Sequence, residues 1–145
     1  MTFCVVDRKP VLIPDVAHGL VAEAQQMVRE DIWTLRCITV MPDHVHLLII
    51  LGAYLTLAQS VTRLKVKAKP AINVKAGRWQ SNFYDHRLRA NDSLEATMRY
   101  IWMNPCRKIL IPVTEEWPWS CCRPEDWEWF KGSTDSGYPF PEWLV

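Results

Sequence analysis

Two pairs of residues in this 145-residue chain have the types and spacing that chemistry requires. The first lies in "PDHVHLLIIL" (42–51), where His44 and His46 are separated by one valine. In an extended chain, residues i and i+2 point to the same face, with β-carbons roughly 6.5–7 Å apart, so both imidazoles can reach one ion. The second lies in "RYIWMNP", where Tyr100 and Asn104 are four residues apart and stack on one side of a helix. A tyrosine becomes a nucleophile when its phenolic proton, with an ordinary pKa of about 10, is removed or polarised. An asparagine carbonyl is a neutral oxygen ligand. Together His44, His46 and Asn104 would hold a divalent ion with positions left open for substrate oxygens, and Tyr100 would stand one helical turn away. Each residue also has a plainer role open to it. Strand histidines bond to neighbours, a tyrosine at this spacing packs in a core, and an asparagine before proline closes a helix.

Those four residues need elements to position them. "TFCVV" (2–6) is a short β-branched strand, followed by the "DRKP" turn. "DVAHGLVAEAQQMVRE" (15–30) has apolar residues at helical spacing, with Asp15 placed to cap it. "WTLRCITV" (33–40) alternates as a strand and is joined to strand 44–51 by a turn at Pro42 and Asp43. Residues 54–72 form a second helix that should end near Pro70, and "RWQSNFYDHRLR" (78–89) reads as another strand. A helix then opens at "NDSLE", with Asn91 or Asp92 as cap and Glu95 three residues after Asp92. Pro105 ends or kinks it. The order β-α-β-β-α-β predicts an α+β fold of ferredoxin-like (RRM-like) type, an antiparallel sheet with helices on one face. To this are added the C-terminal helix bearing Tyr100 and Asn104, and an irregular Trp-rich tail. Residues 1–112 are expected to form one domain, with 113–145 as an acidic, Trp-rich extension packed on it.

Composition is ordinary for a globular protein, with 49% hydrophobic and 23% charged residues. No stretch approaches the ~18 apolar residues of a membrane span, and no secretory leader is recognisable. The five cysteines read as reduced thiols, and a cytoplasmic, nucleoid-associated location is expected. A net charge of +1 conceals strong segregation. Residues 1–61 carry −2, residues 62–112 carry +8, and residues 113–145 carry −5. A basic middle third is the pattern of a face that meets a polyanion, although "RLKVKAK" alone also suits a solvated helix face. Lys65, Lys67, Lys69, Arg78, Arg87 and Arg89 are candidate phosphate contacts, with Arg99, Arg107 and Lys108 near Tyr100. Trp79 and Phe83 are placed to stack on unpaired bases, or else to pack in the core.

The segments "MPDHVHLLI", "RWQSNFYDHRLR", "RYIWMNPCRK" and "WPWS", in this order and spacing, resemble the REP-associated tyrosine transposases. These are single-tyrosine members of the His-hydrophobic-His (HUH) transposases. The resemblance runs from the first strand to about residue 122. Carried over position by position, it implies His44, His46 and Asn104 as ligands of Mg²⁺ or Mn²⁺ and Tyr100 as the nucleophile. It further implies single-stranded DNA, with REP-like hairpins, as the partner of a monomer or homodimer. The chemistry implied is cleavage and rejoining of DNA through a 5′-phosphotyrosine. The family often has a glycine shortly after the NP pair, and "NPCRKIL" has none. Two rival readings are a histidine-triad nucleotide hydrolase, whose third histidine is here Leu48, and a nucleic-acid-binding module that does not cut. Tyr84 in "NFYDH" is a rival nucleophile without an asparagine at i+4.

Overall fold

A computed structural model describes residues 1–126. Its elements run β1 (Thr2–Cys4), a 3-10 turn (Val6–Arg8), α1 (Asp15–Arg29), β2 (Trp33–Val40) and β3 (His44–Leu51). They continue with α2 (Leu57–Val74), α3 (Leu94–Trp102), α4 (Asn104–Arg107) and β4 (Ser120–Cys122). The four strands form one antiparallel sheet in the order β1-β3-β2-β4.

Alternation along β3 divides its side chains between the two faces of the sheet. Val45 and Leu47 face a core shared with Phe3, Val5, Ile38 and Val40 of the neighbouring chain segments. That core is closed by Val16, Leu20, Ala24 and Met27 of α1 and by Val61, Leu64, Ala68 and Ile72 of α2. Arg63 of α2 clamps the two helices together, with Nε 2.7 Å from Glu23 and Nη1 2.6 Å from Glu30 on α1. Its hydrogen bond, joined by one from Gln26, holds the Glu30 carboxyl down at about 2. His44, His46 and Leu48 face the other way, towards α3, where Leu48 and Cys37 pack against Met98 and Ile101. The helix bearing Tyr100 thus lies across the sheet from α1 and α2.

A β-bulge between Leu35 and Cys37 changes the parity of β2. Before it, Trp33 and Leu35 point into the α1/α2 core; after it, Ile38 and Val40 do. Arg36, the extra residue, sends its guanidinium to Asp126 at 2.6 and 2.5 Å.

Several expectations are corrected in detail. Residues 78–89 do not form a regular strand. They occupy the edge beside β1, as a ferredoxin-like order requires, but their backbone pairs there as the isolated bridges Val5↔Trp79 and Thr2↔Tyr84. Between these bridges the carbonyls of Gln80, Ser81 and Asn82 turn towards the Lys65 ammonium, at 2.8, 3.4 and 3.3 Å, so the ladder is interrupted. Pro70 does not end α2, which continues to Val74. Thr56 and Gln59 begin that helix with a reciprocal capping box. Asp15 does not cap α1; the N-cap is Pro14, and Asp15 pairs with Lys75 at 3.2 Å. The cap of α3 is Ser93, which accepts from the Ala96 N–H, while Asp92 accepts from the Arg89 N–H one turn earlier. Residues 120–122 of the expected irregular extension form β4 against β2. Residues 127–145 lie outside the described residues.

Candidate active site

The sheet brings the two histidines to one point. His44 Nε2 and His46 Nε2 are 3.1 Å apart, and the rings meet edge to face. Both side chains are buried. The far nitrogen of each ring is anchored. His44 Nδ1 lies 2.5 Å from Asp43 Oδ1; a carboxylate only accepts, so Nδ1 carries the proton and Nε2 presents a lone pair. His46 Nδ1 lies 2.8 Å from the Thr2 hydroxyl, which accepts from it when Nε2 serves as a ligand. Burial pushes both imidazoles below their ordinary pKa, against the pull of Asp43 on His44, and His46 falls to about 3. Both rings are therefore neutral at pH 7, the state in which imidazole binds a metal.

Asn104 completes the cluster, with its amide 3.0 Å from His46 Nε2 and only 2% of its surface exposed. An amide offers oxygen or nitrogen to the same point according to its orientation. Pairwise spacings of 3.0 and 3.1 Å match the edge of a coordination shell whose bonds are about 2.1 Å. Among the described residues, no three His, Cys, Asp or Glu side chains converge, so a third donor beside the two imidazoles would be the amide. Two inward-facing imidazole nitrogens with anchored far sides and a buried amide fit a divalent ion.

Asn104 reaches this position because the helix breaks beneath it. α3 stops at Trp102, Met103 forms the joint, and α4 restarts at Asn104 with Pro105 in its first turn, where a missing N–H costs nothing. Tyr100, in the last turn of α3, stands with its ring 5.8 Å from that of His46 and is 43% exposed. Arg107 of α4 lays its guanidinium over the Tyr100 ring at 4.5 Å, within range of a cation–π interaction. One corner of the fold thus gathers His44, His46, Asn104, Tyr100 and Arg107.

The remaining candidates are dispersed. Lys69, Arg78, Arg87, Arg89 and Lys108 are exposed. Lys65 spends its ammonium on three carbonyls, and burial lowers its pKa. Lys67, two residues along the helix, turns to the α1 side, 3.8 Å from Glu23. Arg99 pairs with Glu95 at 2.7 Å. Trp79 packs edge to face on Phe3 and donates its indole N–H to the Lys65 carbonyl. Tyr84 is 68% exposed at the β1 edge. Sequence reasoning missed Thr2 and Arg8. Thr2 is found only through the register Thr2↔His46, which depends on β1 pairing with β3. Among the described residues no helix is long and apolar enough to cross a membrane.

The sheet thus carries the paired histidines, and α3 and α4 bring Tyr100 and Asn104 to them. Residues 1–104 match the family model described as "Transposase IS200 like", and the chain belongs to that family of transposases. A REP-associated tyrosine transposase assignment from Haemophilus influenzae is 26% identical over 150 residues, covering 87% of this chain and 84% of that protein. The fold matches the solved structure of a REP-associated tyrosine transposase bound to a REP hairpin, with a TM-score of 0.69 and 21% identity. That match covers 82% of this chain and 72% of the solved one. These findings bear out the resemblance drawn from the motifs.

Proposed function

We propose that this transposase cleaves and rejoins single-stranded DNA beside REP-like hairpins, using Tyr100 as nucleophile and a divalent ion, Mg²⁺ or Mn²⁺, at His44, His46 and Asn104. The observation that carries the proposal is the convergence on His46 Nε2 of His44 Nε2, at 3.1 Å, and the Asn104 amide, at 3.0 Å, beside the Tyr100 ring.

The bound ion would supply charge neutralisation at a non-bridging phosphate oxygen. Asp43 and Thr2 keep the two imidazoles oriented, and α4 holds the Asn104 amide against them. Tyr100 gives up its phenolic proton, and its oxygen forms a bond to phosphorus while the bond to the 3′-oxygen breaks. The leaving 3′-oxygen takes up a proton, and the strand is left as a 5′-phosphotyrosine. The Arg107 guanidinium over the ring favours negative charge developing on the phenol. Because the phosphoester is conserved in the covalent link, a second 3′-hydroxyl reverses the step and joins strands without a nucleotide cofactor. Lys69, Arg78, Arg87, Arg89, Arg107 and Lys108 are the exposed cations proposed to follow the phosphates.

The test is to incubate the protein with an end-labelled single-stranded hairpin and Mg²⁺ or Mn²⁺, then to run a denaturing gel. A protein–DNA adduct is expected, and it should disappear in excess chelator. Cleavage that persists in chelator would refute the metal assignment.

A further inference from the structure

We infer that Arg8, which lies outside every motif of the family resemblance, is a positioning residue that orients the His44 imidazole through Asp43. The inference deepens the reading of His44 as a metal ligand and rests on it. Asp43 divides its carboxylate between two partners: Oδ1 meets His44 Nδ1 at 2.5 Å, and Oδ2 meets Arg8 Nε at 2.9 Å. A carboxylate beside a single imidazole can rotate about its own bonds. With its second oxygen fixed by a guanidinium, the first stays in the plane where it accepts the Nδ1 proton, leaving the Nε2 lone pair aimed at the ligand position. Arg8 is itself tethered, since its Nη1 donates to Cys4 Sγ at 2.8 Å. The backbone adds a second tie, because the Val5 N–H donates to the Asp43 carbonyl and the Leu12 N–H to the Pro42 carbonyl, both at 2.9 Å.

The conformation of the turn is an independent observation. Asp7 and Arg8 have φ of 56° and 53°, two successive non-glycine residues in the left-handed region. Side chains resist that region, and such conformations persist where surrounding contacts over-determine them. Glycine would accept the same backbone freely. The turn instead carries an arginine whose guanidinium reaches the carboxylate behind a ligand histidine, so orientation is retained at the expense of backbone comfort.

Arg8→Gly separates the two effects, since it removes the guanidinium and relieves the turn. The metal-free variant should melt no lower than the wild type. Its ¹⁵N spectrum should show His44 losing its single Nδ1–H tautomer, and its Mn²⁺ affinity, read from the free-ion electron paramagnetic resonance signal, should fall ~10-fold or more. In an Asp43→Asn background the same change should cost no further affinity, because its route to His44 is already cut. An unchanged tautomer with unchanged Mn²⁺ affinity would overturn the inference. So would a loss of DNA binding with the tautomer intact, which would make Arg8 a phosphate contact. If the wild type itself fails to bind Mn²⁺, the metal reading falls, and the tautomer in the metal-free protein still decides the role of Arg8.

Discussion

Tyr100 and Tyr84 differ by what stands next to them. Tyr100 has the ring of His46 at 5.8 Å and the Arg107 guanidinium at 4.5 Å, whereas Tyr84 lies at the β1 edge. Tyr100→Phe removes one oxygen and keeps the ring, so the variant should fold and bind DNA yet form no covalent adduct. Tyr84→Phe should still form one; the reverse result would move the nucleophile to the sheet edge. A second expectation concerns acid. Burial holds His44 and His46 below the ordinary value of about 6.5, His46 at about 3, so the unfolded chain binds protons that the folded chain refuses. Their contribution to the stability of the metal-free protein is full above pH 6.5 and is lost as pH falls towards 3. The urea midpoint should drop across that window, and the drop should be smaller in a His44→Gln/His46→Gln variant. The ligand candidates were legible in the sequence because periods of two and four residues fix which side chains share a face. Thr2 and Arg8 were not, because their partners are set by strand order and by a turn, which local periodicity does not report.

At the scale of elements, boundaries depended on single side chains that compete for one N–H or one carbonyl. Asp92 and Ser93 are adjacent and both cap well, but Asp92 is already spent on the Arg89 N–H. Ser93→Ala should therefore cost about 1 kcal/mol of stability, in line with the loss of an N-cap. Residues 78–89 looked like a strand because they mix aromatic and basic residues. One half-buried lysine drawing three carbonyls away from β1 is a tertiary effect that no local pattern contains. The end of α4 gives a sharper expectation. Where relatives often place a glycine after the NP pair, Ile109 takes φ 57°, with its N–H on the Cys106 carbonyl and the Leu110 N–H on the Pro105 carbonyl. Ile109 is 91% exposed, so its side chain gives up little by removal. Ile109→Gly should raise stability by about 1 kcal/mol, because the left-handed penalty it removes exceeds the cost of the unfolded-state entropy that glycine adds. A calorimetric melting temperature below wild type would show that the isoleucine has a role beyond closing α4.

Over the whole molecule, the +8 charge of residues 62–112 is not one surface. Helical geometry sends Lys67 to the α1 side, and Lys65 is turned inward, whereas Lys69, Arg78 and Arg89 are exposed. If these three meet phosphates, neutralising all of them should lower the slope of log affinity against log salt by roughly 2, at about 0.7 per contact on single strands. Lys67→Gln should leave the slope unchanged, and a triple variant that also leaves it unchanged would place the DNA elsewhere. The bulge at Arg36 has a consequence for how this chain tolerates change in length. The β2–β3 hairpin behaves like a reading frame of period two, in which Val45 and Leu47 read as core and His44 and His46 as the candidate site. Arg36 is a one-residue insertion already absorbed by that frame. Losing it would put either Trp33 and Leu35 or Ile38 and Val40 on the wrong side of the sheet. Losing one residue between His44 and Leu47 would exchange core residues for the candidate ligands outright. Natural variation in length should therefore collect in the connections at 75–92 and after Arg107, while the hairpin keeps its residue count even where its side chains are replaced.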